Sequence, residues 1–497
     1  MGGHKQGPQD AEAQSFFTAI TTYMGYIVLT VFGHIRDTFG KVTGITRFRD
    51  ELIPRSSDEA PLVDPQGNLF YVRRLKFRIQ DCFDRPIDGR PGAYIDVMDR
   101  SFAPNGKNLV INGKTSHCLN LGSYNYLGFA DDWDNSCGKP VRDSLSKYGP
   151  SCMSAASDAG YMDIHDELER FVAHFVGKQS AVVFNMGYGT NSTAIPALVG
   201  KGSLIISDKL NHTSLVNGCR VAGGSTRAFE HNDMEELERV IRLALVEGQP
   251  TNDGSHKHWA KIIIMVEGIY SMEGEVCKLK QVVEIAKRYK CYTYVDEAHS
   301  IGALGASGRG VCESTGVDPA DIDVLMGTFT KSFGGMGGYI AGDESLIRKI
   351  RSRCMGVLCG SNLSPVVAQQ VLTSFQIIAG LDGTTMGRDK LKQIKDNSNY
   401  FRNELKRIGC SVLGDEDSPV IPVMLFNPTK IPAFSRECLK RNLAVVVVGY
   451  PAVPVYGARV RFCISAAHTR EDLKSALKKI REVCKILNIR YEKSMFG

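Results

Sequence analysis

Short apolar runs alternate with amphipathic stretches through the middle of the chain. The runs have strand length, and they end near Phe184, Ser207, Val266, Asp296 and Thr328. Between them, stretches such as 235–247 and 279–290 repeat apolar residues at helical spacing. This alternation predicts an α/β fold, in which a mainly parallel sheet is covered by helices on both faces. Because ligands of such sheets bind at the carboxyl ends of the strands, we expect the functional residues there.

The amino-terminal segment has a different pattern. Ser15 to Gly33 is nineteen residues without a charge, which is just long enough to span a bilayer. Small and polar residues share one helical face, at Thr18, Thr21, Thr22 and Gly25. A helix that lies in the membrane interface is therefore an alternative, and a buried soluble helix is another. The basic residues that follow, Arg36, Lys41, Arg47 and Arg49, predict that the body lies on the cytosolic side of a membrane.

The composition excludes other classes of function. The 497 residues are 43% hydrophobic and 23% charged, with a net charge of +6. No basic run is interleaved with aromatic residues, so the sequence does not indicate a nucleic-acid partner. The 14 cysteines include no Cys-x-x-Cys pair, which predicts reduced thiols and no metal site.

A lysine and an aspartate at two strand ends indicate the chemistry. Lys331 follows the β-rich run 323–329 and precedes several glycines, whereas Asp296 ends the run that begins at Cys291 and is followed by His299. A lysine amine can bind the aldehyde of pyridoxal phosphate covalently. A carboxylate can keep the pyridine nitrogen protonated, so that the ring accepts electrons. The two motifs together therefore predict a site for pyridoxal 5′-phosphate.

The motifs and the composition divide the chain into four parts. Residues 1–53 form a membrane-associated segment, and residues 54–115 hold a polar linker and the first part of a small domain. Residues 116–380 form the large domain that binds pyridoxal phosphate, and residues 381–497 form a smaller carboxyl-terminal domain.

Four further segments add polar groups to the predicted pocket. Gly187 and Tyr188 open a helix after a strand, where free backbone N–H groups can hold a phosphate, although an ordinary turn has the same pattern. His212 follows a strand end and could stack on the pyridine ring and shuttle protons, or be a surface histidine. Ser271 offers a hydroxyl near the ring. Arg461 lies inside a strand-like run and needs an anion, either a substrate carboxylate or a structural partner.

The motifs resemble those of the α-oxoamine synthases, which condense an amino acid with an acyl-CoA. The resemblance rests on Asn125-Tyr-Leu-Gly, Glu267-x-x-Tyr-Ser-Met-x-Gly, Asp296-Glu-Ala-His-Ser and Gly-Thr-Phe-Thr-Lys331. It covers nearly the whole chain. It implies a fold-type I pyridoxal phosphate-dependent transferase, which is aminotransferase-like, with a smaller α+β carboxyl-terminal domain.

The resemblance also implies a role for each matching residue. Lys331 would bind the cofactor and remove the α-proton of the amino acid, and Asp296 would pair with the pyridine nitrogen. His299 would contact the ring hydroxyl, with Ser271 nearby, and His212 would stack on the ring. The phosphate would be bound by Gly187, Tyr188 and Thr328. Arg461 would bind the substrate carboxylate, with Asn125 near it.

Longer segments resemble one branch of this family, the catalytic subunits that join L-serine to palmitoyl-CoA in the first step of sphingolipid biosynthesis. These segments include Gly449-Tyr-Pro-Ala-Val-Pro454 and Ile431-Pro-Ala-Phe-Ser-Arg-Glu-Cys438. The resemblance implies an endoplasmic reticulum membrane protein, a heterodimer with a homologous subunit that lacks the lysine, and small regulatory membrane subunits. Two alternatives remain: a synthase that uses glycine or alanine with another acyl-CoA, and a non-catalytic subunit of the same complex.

Two segments depart from the family pattern. Ala156 stands where an arginine is usual, and Leu358 to Asn362 replaces the usual Tyr-Ala-Thr-Ser. We expect these segments near the acyl-CoA entry or a subunit interface. Three Asn-x-Ser/Thr matches, at Asn191, Asn211 and Asn362, are predicted not to carry glycans, because two of them lie in the pocket segments.

Overall fold

The computed structural model describes residues 16–43, 79–103, 109–131, 133–251 and 255–491. The predicted linker lies at 54–67 and therefore outside the described residues. The strands in the described residues are β1 (Ile87–Asp88), β2 (Tyr94–Phe102), β3 (Leu109–Asn120), β4 (Ser180–Phe184), β5 (Ser203–Asp208), β6 (Ser225–Phe229), β7 (Lys261–Glu267), β8 (Tyr292–Asp296), β9 (Val324–Thr328), β10 (Gly338–Gly342), β11 (Val420–Phe426), β12 (Leu443–Ala444), β13 (Val446–Val448) and β14 (Ala458–Cys463).

The α-helices in the described residues lie between these strands and at the two ends of the chain. They are α1 (Phe16–Val42), α2 (Gly138–Tyr148), α3 (Asp163–Phe175), α4 (Gly187–Leu198), α5 (Thr213–Ala222), α6 (Met234–Glu247), α7 (Leu279–Tyr289), α8 (Val311–Thr315), α9 (Glu344–Arg353), α10 (Met355–Leu358), α11 (Pro365–Ile378), α12 (Met386–Ile408), α13 (Lys430–Leu439) and α14 (Arg470–Ile486).

A seven-stranded sheet has the order β4-β10-β9-β8-β7-β5-β6. Only β10 runs against its neighbours, so the prediction of a mainly parallel sheet is confirmed. The apolar pattern did not predict β6 or β10. The edge strand β6 alternates partly buried with exposed residues and contains Arg227, and β10 begins and ends with glycine, so neither strand is a continuous apolar run.

Helices cover both faces of this sheet. Successive residues of a strand point to opposite faces, and Ile263 and Ile264 of β7 accordingly belong to two different apolar cores. The core that contains Ile263 includes residues of helices α4, α5, α9 and α10. The core that contains Ile264 includes residues of helices α3, α6, α7 and α11. The sheet is therefore inaccessible on its faces, and its carboxyl edge is where a ligand can approach.

Four parallel strands end in a residue with a polar side chain. The last residues of β5, β7, β8 and β9 are Asp208, Glu267, Asp296 and Thr328, and all four are buried. Because parallel strands end at the same edge, these side chains are brought together there.

Two smaller sheets contain the remaining strands. The order β11-β14-β13 places Arg459 and Arg461 on the same face of the middle strand. The other sheet has the order β1-β2-β3-β12. Its strand β12, from the carboxyl-terminal part of the chain, pairs in parallel with β3, from the amino-terminal part.

Helix α1 forms where the sequence predicts an apolar helix. Its Gly25 faces the side chain of Asn427 at the end of β11 and Thr22 is buried, so this side of α1 lies against the body, whereas Thr21 is exposed. The opposite stripe is exposed and holds Ile20, Tyr23, Met24, Ile27, Val28, Val31, Phe32, Ile35, Phe39 and Val42, which are 43% to 81% exposed. Among the described helices, none combines the length and the apolar character that crossing a membrane requires.

Candidate active site

Lys331 lies three residues beyond the end of β9 and is half-buried. Its Nζ is 5.5 Å from the centre of the Tyr124 ring. Burial lowers the pKa of Lys331 to about 8, while the charges of Asp296 and Glu267 act in the opposite direction. The amine is therefore available in its unprotonated, nucleophilic form at a lower pH than an ordinary lysine.

Asp296 is fixed by two hydrogen bonds at the end of β8. Asn191 Nδ2 donates to its Oδ2 at 2.7 Å, and the backbone N–H of Ala298 donates to its Oδ1 at 2.9 Å. The side chain is buried, so the carboxylate has a defined orientation. A fixed carboxylate in this place can accept a hydrogen bond from a protonated pyridine nitrogen.

His299 connects this strand end to two tyrosines. Its Nδ1 is 2.7 Å from Tyr126 Oη, and its ring is in edge contact with Tyr124, with centroids 5.1 Å apart. Burial, together with the charges of Lys331 and Arg461, holds the pKa of His299 well below its usual range. His299 is therefore neutral at physiological pH.

The predicted phosphate site, at Gly187, Tyr188 and Thr328, lies where α4 begins. A Cβ atom at Gly187 would be 2.7 Å from Thr328 Oγ1, so only glycine leaves this approach open. No side chain caps the amino terminus of α4, whose N–H groups can therefore bind an anion. Tyr188 is exposed in the first turn, and its hydroxyl accepts a hydrogen bond from Asn217.

His212 is the N-cap residue of α5. Its Nδ1 accepts a hydrogen bond from the backbone N–H of Ser214, and its own backbone N–H donates to Glu267 Oε1. Its ring is in edge contact with Tyr188, with centroids 6.1 Å apart. Burial lowers the pKa of His212. Tyr188 thus links the ring of His212 to the predicted phosphate site.

Arg461 is buried inside β14 without a carboxylate partner among the described residues. Its guanidinium carbon lies 4.7 Å from the centre of the Tyr124 ring, and its Nε has no hydrogen-bond partner. Its Nη1 contacts Met272 Sδ at 3.9 Å, so the turn that holds the half-buried Ser271 borders the guanidinium. A buried guanidinium in this state can bind a carboxylate ligand.

Asn125 is close to these residues, but its side chain already has protein partners. Asn125 Nδ2 donates to Asp131 Oδ2 at 2.9 Å and to the Pro91 carbonyl at 3.3 Å. Ser465 Oγ donates to the Asn125 carbonyl at 2.6 Å, which connects the segment to the strand of Arg461. The contact of Asn125 with a substrate stays a prediction.

The sequence analysis missed several residues of the site. Tyr124 lies among Lys331, His299 and Arg461, although the sequence pattern assigned it no role. Asn191 was noted only as a glycosylation match, and Glu267 only as part of a motif. A weak signal was present, because Asn191 lies four residues after Gly187 and so one helical turn along α4.

The glycosylation matches and the two unusual segments also have defined places. Asn191, Asn211 and Asn362 are all buried, which supports the prediction that they carry no glycans. The two segments that depart from the family pattern lie side by side. Ala155 pairs with Ser361, and Asn185 Nδ2 donates to the Ser361 carbonyl at 2.6 Å, so both segments adjoin the loop just before α4 and its predicted phosphate site.

These groups fit pyridoxal phosphate and an amino acid. The open amino terminus of α4 suits the phosphate, Asp296 suits the pyridine nitrogen, and the unpartnered Nε of Arg461 suits a carboxylate. In the described residues, no group of three or more histidine, cysteine or acidic side chains could hold a metal ion.

Replacing Gly187 with alanine is expected to weaken binding of pyridoxal phosphate about tenfold or more, because the new Cβ would lie only 2.7 Å from Thr328 Oγ1 and displace the residues of the predicted phosphate site. The affinity can be measured by titrating the apoprotein with the cofactor. Gly189→Ala is the matched control, since its Cβ would meet only the flexible, exposed side chain of Met186. An equal loss in both variants would contradict a phosphate site at Gly187.

Comparisons with known proteins agree with this geometry. Residues 116–480 match the family model "Aminotransferase class I and II". The chain is 52% identical to long chain base biosynthesis protein 2a of Arabidopsis thaliana, with 96% of this chain and 95% of the relative covered. It is 46% identical to serine palmitoyltransferase 2 of Dictyostelium discoideum, with 99% of each chain covered.

Among solved structures, the fold is similar to a variant serine palmitoyltransferase from S. paucimobilis with a bound PLP–myriocin aldimine. The TM-score is 0.71 at 26% identity, and 83% of this chain and 95% of that chain are covered. The predicted fold class is confirmed. The chain belongs to the aminotransferase class I and II family and, within it, to the group of long chain base biosynthesis proteins 2 and serine palmitoyltransferases 2.

Proposed function

We propose that this chain is the catalytic subunit of a serine palmitoyltransferase, which joins L-serine to palmitoyl-CoA with loss of carbon dioxide and gives 3-ketodihydrosphingosine. The observation that carries the proposal is the position of Lys331. Its amine lies 5.5 Å from the centre of the Tyr124 ring, and the guanidinium carbon of Arg461, whose Nε has no hydrogen-bond partner, lies 4.7 Å from the same centre. An amino acid bound there can place its carboxylate on Arg461 and its α-carbon near the amine.

Each residue of the site has a separate task. When bound, pyridoxal 5′-phosphate supplies an electron sink for the bond that breaks at the α-carbon. Lys331 binds the cofactor and takes the α-proton, and its lowered pKa near 8 suits a base at cellular pH. Asp296 and His299 orient the cofactor ring, while Arg461 orients the substrate carboxylate. Because Tyr124 contacts three of these residues, it fixes the distance between the amine and the guanidinium.

The direct test is an assay of the full chain, purified with its co-purifying partners and supplied with pyridoxal phosphate. We expect a long-chain 3-keto amine from L-serine and palmitoyl-CoA, and a rate at least about tenfold lower with glycine or alanine. Faster turnover of glycine or alanine would favour another α-oxoamine synthase. Absence of product and of cofactor binding, even with partners, would favour a non-catalytic subunit.

The partners and the location extend this proposal. We propose a heterodimer with a homologous subunit that lacks the lysine, together with small regulatory membrane subunits, as the resemblance of the sequence motifs implies. We place the complex at the endoplasmic reticulum membrane with its catalytic body in the cytosol. The exposed apolar stripe of α1 supports attachment to the membrane surface, since the opposite side of α1 faces the body at Asn427.

Charged substitutions in the stripe of α1 are expected to release the protein from membranes. The double variant Ile27→Glu and Val31→Glu should bind phosphatidylcholine–phosphatidylserine vesicles at least about tenfold more weakly, because two exposed apolar side chains no longer enter the lipid. Co-sedimentation with vesicles measures the bound fraction. Val246→Glu on α6 is the control, as Val246 is also an exposed apolar residue on a helix. Unchanged binding of the double variant would contradict attachment through α1.

A further inference from the structure

A continuous chain of hydrogen bonds joins His212 to Asp296. The Nδ1 atom of His212 is 2.7 Å from Ser214 Oγ. Asn191 Nδ2 lies 2.9 Å from the same Ser214 Oγ and 2.7 Å from Asp296 Oδ2. The residues predicted to contact the face and the nitrogen of one cofactor ring are therefore connected through two side chains with no assigned role.

The donor and the acceptor of each hydrogen bond between His212 and Asp296 follow from the chemistry of the groups. The amide nitrogen of Asn191 can only donate, so it gives one hydrogen to Asp296 and the other to Ser214 Oγ. Tyr294 Oη donates to Asn191 Oδ1 at 2.7 Å, which keeps the amide in this orientation. Since Ser214 Oγ accepts from Asn191, its own proton is free to be donated to His212 Nδ1.

A second donor reaches the same nitrogen of His212. The backbone N–H of Ser214 lies 3.3 Å from His212 Nδ1, as expected when a side chain caps a helix. A backbone N–H cannot accept a hydrogen bond. With two donors directed at it, Nδ1 cannot carry a proton, so the proton of a neutral His212 resides on Nε2. The positive end of the α5 dipole also opposes a cationic ring in this position.

The middle of this hydrogen-bond chain is protected from water, whereas His212 at its end is exposed. Asn191 and Ser214 are each 1% exposed, and Tyr294 is fully buried. Solvent therefore cannot replace the hydrogen bonds of Asn191, and removing a partner of Asn191 leaves a buried polar group unsatisfied. Burial lowers the pKa of His212, in agreement with a neutral ring.

We propose that Asn191 and Ser214 are positioning residues that hold His212 in the neutral form with its proton on Nε2, and that hold Asp296 in place for the pyridine nitrogen. This inference rests on the proposed function, because it assigns a ring to the space between the two residues. The consequence is a division of roles. His212 presents an N–H donor to a substrate oxygen, and Lys331 is left as the base.

Nitrogen NMR of the full-length apoprotein, labelled with ¹⁵N-histidine, tests the state of His212 without any catalysis. His212→Gln assigns the signal among the 11 histidines. In the wild type we expect a protonated Nε2 and an unprotonated Nδ1. Ser214→Ala removes one of the two donors, so the ratio of the two neutral forms should shift about three- to tenfold toward the Nδ1-protonated form. A wild-type ring protonated on Nδ1, or an unchanged ratio in Ser214→Ala, would overturn the proposal.

Cofactor affinity tests the Asp296 end of the chain. Asn191→Leu keeps the shape but removes both donors, and we expect pyridoxal phosphate to bind about 10- to 100-fold more weakly. Tyr294→Phe is the matched comparison, because it removes only the bond that orients the amide and leaves both donors of Asn191 in place, so the affinity should fall less than in Asn191→Leu. Equal affinities of wild type and Asn191→Leu would overturn this part. If the wild type binds no cofactor, the proposed function fails, whereas the histidine spectrum still decides the state of His212.

Discussion

Replacing Lys331 with alanine is expected to abolish attachment of pyridoxal phosphate to the protein and to lower kcat by about 10²- to 10⁴-fold or more. Loss of proton transfer alone accounts for a decrease of this size. The variant should still fold, because the half-buried Lys331 makes no salt bridge with a described residue and its removal leaves no carboxylate without a partner. Mass spectrometry after borohydride reduction measures attachment, and product formation from L-serine measures turnover.

Lys331→Arg is the control for charge. It keeps a cation beside Tyr124 and Asp296 but cannot form the covalent bond, so it should be as inactive as the alanine variant. Attachment of the cofactor at a different lysine in either variant would contradict the assignment. Activity of Lys331→Arg close to that of the wild type would show that the positive charge, and not the amine, is required.

The lowered pKa of Lys331 predicts that the rate of cofactor attachment depends on pH. With a pKa of about 8, roughly one tenth of Lys331 is unprotonated at pH 7 and roughly nine tenths at pH 9. The rate of cofactor attachment to the apoprotein should therefore rise with pH, about tenfold per unit below pH 8, and level off above it. An ordinary lysine would continue to gain reactivity up to about pH 10. A midpoint near pH 10 would contradict burial of the amine.

The sequence was sufficient to predict the fold and the strand ends of the site. Apolar runs of strand length end near Thr328 and at Asp296, and the polar residues that follow are therefore confined to one edge of the sheet. This local order explains why Lys331, Asp296 and His212 lie in the same region of the structure. The strand β10 was missed because its flanking glycines resemble a turn.

The contacts across the site could not be read from the sequence. Tyr124 and Arg461 are far apart in the chain, and their contact depends on how β14 is placed against the segment after β3. Asn191 meets Asp296 only because α4 packs against the sheet with one particular rotation. Asn125 was predicted to contact the substrate, but its side chain donates a hydrogen bond to Asp131. This contact also depends on how separate segments pack. Such pairs follow from packing, which local spacing does not encode.

Replacing Arg461 with methionine is expected to separate activity from stability. The value of kcat/KM for L-serine should fall about 10²- to 10³-fold, because the substrate carboxylate loses a buried, charged partner. The melting temperature of the apoprotein should stay equal or rise, since the guanidinium is buried without a carboxylate among the described residues. Replacing a buried charge with an apolar side chain of similar volume is often neutral or stabilising by about 1–4 kcal/mol.

Arg459→Met is the matched control on the same face of β14. Arg459 Nη1 donates to the Met272 carbonyl at 2.7 Å and lies 3.1 Å from Glu273 Oε1. Its removal leaves both acceptors unpaired, so the free energy of unfolding should fall by about 3 kcal/mol, with a small effect on the KM for serine. The two arginines are equally buried but should give opposite results. Arg459 has an anionic partner within the protein, whereas the proposed anionic partner of Arg461 is the substrate carboxylate. A loss of stability in Arg461→Met as large as that in Arg459→Met would show that Arg461 already has a structural partner and does not bind the substrate.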